Sequence, residues 1–381
     1  MVAKARGFVV LDLLALGVAL AVGGALIAPA LQQARRSAND AVNASNMRQI
    51  GMAWLSYATD YQDRIATFSW SSDPNRRGHS QYADLQALAA SGSPADAAAA
   101  QAIDAIRRRA GREDIPAVKD WLPHANYSTL VVQDYLASRL PEPLIVSTHD
   151  EHRLAWQEAN GSKFDRGTFL PHQPAATPEN KIYPYSSSYT FTVAGFDWNA
   201  SRLEGAAAPL RVRQGDTWGQ FLVPGNARLG GLRYSEVRFP SQKVAMFDGF
   251  DRAKPEWKIA SDPVAVIASC YYDGSVRSSQ GSEMNPGWDP WQPQSASPTV
   301  FRFKPQPWER GAKAEGDATE GYFVGGAMWT RGGLKGLDAE GPEAQTGQPH
   351  NAPARTAPDA NAWDAFRRAA DGTEARRVEA K

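Results

Sequence analysis

Apolar and polar positions divide this chain into an oily run, an amphipathic run and a long region of short alternating segments. From Leu13 to Leu31 no residue is charged, a stretch of 19 positions preceded by Lys4, Arg6 and one acid, Asp12. At about 1.5 Å per residue such a helix spans roughly 28 Å, close to the ~30 Å hydrocarbon core of a bilayer. The pattern predicts a membrane-crossing half-helix over 8–31. Further on, Leu31, Ala34, Ala38, Val42, Met47, Ile50, Trp54 and Tyr57 keep a 3.6-residue rhythm as far as Tyr61. Gln32, Arg35, Arg36, Asn39, Asp40 and Arg48 fill the opposite face. The same helix is therefore expected to continue over 32–62 as an amphipathic half, which needs a sheet to lie on. Pro29 inside it removes one backbone hydrogen bond and predicts a bend.

Beta periodicity dominates later. Ser187–Ala194 alternates, placing Tyr189, Phe191 and Val193 on one face, and 210–213, 218–223, 243–247, 264–272 and 275–277 supply further strands. Asp273-Gly274 predicts a two-residue hairpin turn. Ser93-Pro94 opens an Ala-rich helix over 95–109, whose weakly apolar face places it on the surface. A second helix is expected over 127–140, started by Ser128 and stopped before Pro141, and Leu144-Ile145-Val146 reads as a short buried strand. The fold class is α+β: a long N-terminal helix packed on an antiparallel sheet, with a globular domain over 63–334. After Gly332-Gly333 the apolar pattern ends. Residues 335–381 are expected to be a disordered tail with a short helix over 360–370.

Charge fixes orientation more than partners. Lys4 and Arg6 favour a cytoplasmic start, which makes the chain a single-pass inner-membrane protein with a periplasmic or extracellular domain. Lys plus Arg and Asp plus Glu are equal at 41 each, so nothing argues for nucleic acid as a partner. The lone Cys270 excludes an internal disulfide and, beside Ala268, Tyr271 and Tyr272, reads as a small core residue.

Chemistry-bearing motifs are few. No nucleophile elbow, phosphate loop or metal-ligand pair has convincing spacing. His149, Asp150, Glu151 and His152 form the nearest thing to a cluster; two His three apart can share a helical face and a metal. No third ligand is indicated, and so charged a stretch reads as solvated surface. Asp248 and Asp273 read as turn residues, and His79, His124 and His172 stand apart. No catalytic, cofactor-binding or metal site is assigned, and the chain is not expected to be an enzyme. Gly287–Trp308 is rich in Trp and Pro: either an exposed sugar- or peptide-binding surface, or an irregular loop laying its rings on the sheet.

The string Arg6-Gly7-Phe8-Val9-Val10-Leu11-Asp12 resembles the start of type IV pilins and type II secretion pseudopilins. The resemblance implies that a prepilin peptidase cuts after Gly7 on the cytoplasmic side, removing residues 1–7, and methylates the new first residue, Phe8. Asp12 falls fifth in the mature chain, where that family carries Glu and pairs it with the N-terminal amine of a neighbouring subunit. Implied partners are the peptidase, neighbouring pilin-like subunits and an inner-membrane secretion or pilus assembly platform, with no cofactor. Asn46-Met47-Arg48-Gln49-Ile50-Gly51 narrows the resemblance to a planctomycete-type pilin-like group that carries a motif of His, nine residues and Asp-Gly. Asp248-Gly249 and Asp273-Gly274 match the end of that motif, but Arg238 and Pro263 stand where its His belongs. The alternatives are a secretory signal cut near Ala28-Pro29-Ala30, an uncleaved anchor bearing a binding module for surface polysaccharide or peptide, and an anchored hydrolase.

Overall fold

A computed structural model describes residues 4–136, 140, 142–165, 180, 182–198, 212–214, 221–223, 227–253, 257–285, 287, 301–303, 321–323, 326–330 and 332–339. The side chains of 4–13, 19–26, 165, 214, 301–303 and 321–323 stand outside that description. Residues up to Asn43 form one unit and those from Ala44 a second. Helix α1 (Lys4–Asp60), with Pro29 inside it, belongs to both. In the first unit Leu14, Leu16, Val18, Ile27, Leu31 and Val42 are all at least half exposed. Among the described residues no helix is long and apolar enough to cross a membrane. Most of the run expected to do so, 8–13 and 19–26, has side chains outside the described ones.

The second unit is α+β. Its strands are β1 (Tyr189–Phe191), β2 (Arg213–Gln214), β3 (Phe221–Leu222), β4 (Val244–Asp248), β5 (Phe250–Asp251), β6 (Lys258–Ile259), β7 (Val266–Tyr271), β8 (Val276–Gln280), β9 (Phe301–Phe303) and β10 (Gly321–Phe323). The main sheet is antiparallel throughout, in the order β1-β4-β7-β8, with Phe191 opposite Met246, Phe247 opposite Ser269 and Cys270 opposite Val276. β2–β3, β5–β6 and β9–β10 are separate antiparallel pairs.

Residues 44–60 of α1 cover one face of the sheet. Met47, Ile50, Ala53, Trp54 and Tyr57, spaced as one helical stripe, are buried with Tyr189, Phe191, Ala245, Met246, Cys270 and Tyr272. The Trp54 ring lies 4.4 Å from that of Phe191. Gly51 lets the backbones close in: a Cβ there would stand 3.2 Å from Cys270 Sγ, tighter than nearly all such contacts. A register shift in β4 between Val244 and Met246 turns two successive side chains, Ala245 and Met246, to the helix. The opposite face carries Val244, Phe247, Phe250, Ile267, Tyr271, Met328 and Trp329.

Several expectations are corrected. The Ala-rich helix α3 (Pro94–Ala110) is capped by Ser93, whose Oγ accepts the Asp96 N–H at 3.3 Å, but it is no surface insertion. Ala97–Ala100, Ala102, Ile103, Ala105 and Ile106 are buried with Leu85 and Leu88 of α2 (Ala83–Ala89), Phe68, Trp121, Tyr127 and Tyr185. Methyl side chains give a weak amphipathic signal, yet they let neighbours approach from every side. The helix expected over 127–140 is a short α4 (His124–Tyr127) followed by a 3-10 stretch, Ser128–Tyr135, and residues 137–139 lie outside the described ones. Pro143–Ile145 is a 3-10 turn rather than a strand, although Ile145 and Val146 are buried as expected. The first strand stops at Phe191, and Val193 belongs to a 3-10 turn over the other face. Asp273-Gly274 does reverse the chain between β7 and β8, with Gly274 at φ +82° and its N–H bonded to Tyr271 O. The connection spans more than the two residues expected, and Asp273 holds it by accepting the Ser275 N–H at 2.9 Å. Packing continues beyond Gly333 to Leu337, Asp338 and Ala339, inside the segment expected to be tail. Residues 340–381 are outside the described ones.

Trp54→Ala should cost about 3–5 kcal/mol by emptying the helix–sheet contact. Chemical denaturation followed by circular dichroism measures this, and an unchanged midpoint would mean that this face does not hold the helix.

Candidate functional site

Gly7, Phe8 and Asp12 lie on the helical backbone of α1, and their side chains are outside the described ones. Pairing of Asp12 with a neighbour's amine therefore rests on sequence. Near them Leu14, Leu16 and Val18 are 57 to 61% exposed.

Within the charged stretch 149–152, Asp150 lines a groove beside Thr190 and Gly249 at the β1–β4 edge of the main sheet. Helix α5 (Glu151–Asp165) begins directly after Asp150, so Asp150 is its cap, accepting the Arg153 N–H at 3.3 Å through Oδ1. Oδ2 accepts the Ser188 hydroxyl at 2.7 Å and stands 3.3 Å from Arg153 Nε and 3.6 Å from Arg252 Nε. Arg252 also pairs with Asp248 at the end of β4, and Arg153 donates to Ser186 O at 2.7 Å. Two carboxylates and two guanidiniums thus alternate in a chain whose side chains are only 3 to 6% exposed. The Arg252 guanidinium lies over Phe250 and Trp257, at 5.1 and 4.8 Å from their centroids, and that of Arg153 over Tyr183 at 4.7 Å.

Burial pushes the Asp150 carboxyl up, but Arg252, Arg153 and the Ser188 hydroxyl outweigh it and hold it below its usual value. A carboxylate held ionised and paired on all sides is a clamp, not a proton donor. The groove, lined by Asn126, Thr190, Gly249, Arg252 and Trp257 among others, has about 30 Å³ of room, enough to admit water.

The reading of 149–152 as solvated surface is therefore corrected at Asp150, which is 2% exposed. His149 precedes α5 while His152 lies within it, exposed, its ring 6.0 Å from Trp257. Among the described residues no group of three or more His, Cys, Asp or Glu is placed to hold a metal. Asp273 serves its turn, and Asp248 pairs with Arg252. Cys270 is buried, which pushes its thiol up to about 12 and leaves it protonated at neutral pH. Trp288–Val300 and 304–308, most of the Trp/Pro-rich segment, are outside the described residues.

His124 is fully buried between Phe68 and Phe196, and its Nε2 donates to Phe68 O at 2.9 Å. Burial lowers its pKa from 6.5 to about 4. Sequence reasoning passed over His124, Arg153 and Arg252. Asp150 and Asp248 lie only three and four residues from Arg153 and Arg252, but nothing in the sequence shows these pairs to be buried, and the partners of His124, Phe68 and Phe196, are distant in the chain.

The folded state resists protonating His124, so its contribution to stability is complete above pH 6.5 and is lost as pH falls towards 4. Unfolding midpoints measured across that window should decline in the natural protein and decline less in His124→Gln. Asp150→Ala should cost about 3–5 kcal/mol, because it strands buried guanidiniums; a denaturant midpoint within experimental error of the natural protein would contradict the clamp. Compared with family models, with curated proteins and with solved structures, the chain has no match.

Proposed function

We propose that this protein is a pilin-like structural subunit, a pseudopilin, processed by a prepilin peptidase between Gly7 and Phe8. It would then assemble through its N-terminal helix into a type II secretion or type IV pilus-like system of the inner membrane. The observation that carries this reading is the contrast along α1. Met47–Tyr57 bury their apolar stripe on the sheet, whereas Leu14, Leu16, Val18, Ile27 and Leu31 are 56 to 64% exposed. Exposed apolar area of this kind is unfavourable in water by about 25 cal/mol per Å² and calls for lipid or sister helices.

Three steps follow. The basic leader keeps the start of the chain cytoplasmic. Cutting after Gly7 frees the Phe8 amine, which offers a counter-charge to Asp12 of a neighbour and relieves the cost of an acid in an oily helix. The helix then exchanges lipid for neighbours, and small residues such as Ala15 and Gly17 let the rods approach closely. At Gly17 an added Cβ would meet nothing within 4 Å, so that position has space for a neighbour. The rival reading, an anchored binding module for polysaccharide or peptide, draws on the groove beside Trp257, lined by polar groups of Asn126, Thr190 and Arg252.

Co-expression with and without a prepilin peptidase tests the reading. The mature chain should start at a methylated Phe8, Gly7→Leu should block the cut, and Asp12→Ala should be cut yet lose crosslinks between N-terminal helices. A native protein that retains Met1, or that begins near Leu31, would overturn it.

A further inference from the structure

Lys243 and Asp338 meet where water cannot reach them. Their side chains are 0% and 2% exposed, and Lys243 Nζ lies 2.6 Å from Asp338 Oδ2. The backbone holds them there. Asp338 and Ala339 donate their N–H groups to Gln242 O at 3.0 and 3.3 Å, so the C-terminal segment lies against the residue just before Lys243. Val244 N–H donates to Asp338 Oδ2 at 2.8 Å. Thr330 Oγ1 touches both partners, accepting from Lys243 Nζ and donating to Asp338 Oδ1 at 2.5 Å. Trp329, Leu334 and Leu337, around the same segment, are buried as well.

Burial disfavours both charges: it lowers the Lys243 pKa and raises that of Asp338, and their mutual attraction offsets this only in part. The pair is thus pressed towards a neutral amine and a neutral carboxylic acid, the forms in which one is a nucleophile and the other an electrophile. Contact is already made, so the entropy of bringing the groups together has been spent in folding.

We propose that Lys243 and Asp338 condense into an intramolecular amide, a covalent link between the start of β4 and the segment 95 residues further on. The Nζ lone pair attacks Cγ of Asp338, forming the C–N bond. One carboxyl C–O bond breaks, and its oxygen leaves as water, carrying the carboxyl proton and one proton from Nζ. Thr330 Oγ1, in hydrogen-bond contact with both groups, relays that second proton. No oxidant, reductant or cofactor enters the balance. The product replaces two buried charges with a neutral amide, which removes the desolvation cost that such a pair carries. With Cys270 the only cysteine, the chain has no internal disulfide to serve as a cross-link.

Peptide mapping of the purified full chain by mass spectrometry tests this, independently of how its N-terminus is processed. The expected result is one branched peptide joining the Lys243 and Asp338 segments, lighter by one water than the two together, with no cleavage by trypsin after Lys243. Lys243→Arg and Asp338→Ala should each restore cleavage after position 243 and separate, unlinked peptides of full mass, and Thr330→Val should slow formation of the link in refolded protein. Separate, unmodified peptides from natural protein shown by circular dichroism to be folded would overturn the proposal. That measurement needs no variant, so a substitution that prevents folding does not obscure it.

Discussion

The second unit depends on one seam, where residues 47–57 of α1 lie on the sheet. Gly51 has no side chain to hold helix and sheet apart, Cys270 beneath it is small, and Trp54 fills the adjoining space against Phe191. The register shift in β4 adds a second inward residue where the helix crosses, so Ala245 and Met246 both contribute. A side chain at Gly51 or a cavity at Trp54 would disturb helix, sheet and strand register together.

Strand β4 is tied at both ends by buried charge. Lys243, just before its first residue, meets Asp338, while Asp248, its last residue, meets Arg252 and through it Asp150 at the head of α5. Each tie joins the strand to a distant stretch of chain. A one-residue slip would leave a buried polar group without its partner at either end, so the two contacts fix the register of a strand already paired on both sides. The apolar seam supplies stabilisation, and the buried polar contacts supply uniqueness of pairing.

The exposure of apolar side chains changes along α1. From Met47 onwards its apolar stripe is buried inside the chain, whereas Leu14, Leu16, Val18, Ile27 and Leu31 are exposed. The proposed assembly uses this division: a folded body carries a helix whose exposed apolar residues would be covered by lipid or by copies of itself. A covalent tie between Lys243 and Asp338 would suit such a subunit, because the body could then bear load without relying on non-covalent contacts alone.

Much of this was legible in the sequence. The 3.6-residue rhythm of Met47, Ile50, Trp54 and Tyr57 predicted the helix face, and alternation around Tyr189 and Phe191, together with the turn at Asp273-Gly274, predicted strands and their reversal. These features are local, decided by side-chain period and backbone preference within a few residues. The basic leader and charge-free run are equally local, and the proposed processing at Gly7 rests on them. Tertiary structure decided the rest. Whether Ala97–Ile106 faced water depended on what surrounded methyl groups that carry little signal of their own, and Leu144–Val146 formed a turn because a short apolar run suits a buried turn as well as a strand. The clamps at Asp150 and Lys243 join residues 95 or more positions apart or in separate elements. Only a folded chain brings such charges into contact, and only burial makes the pairing matter, because in water each would be solvated alone.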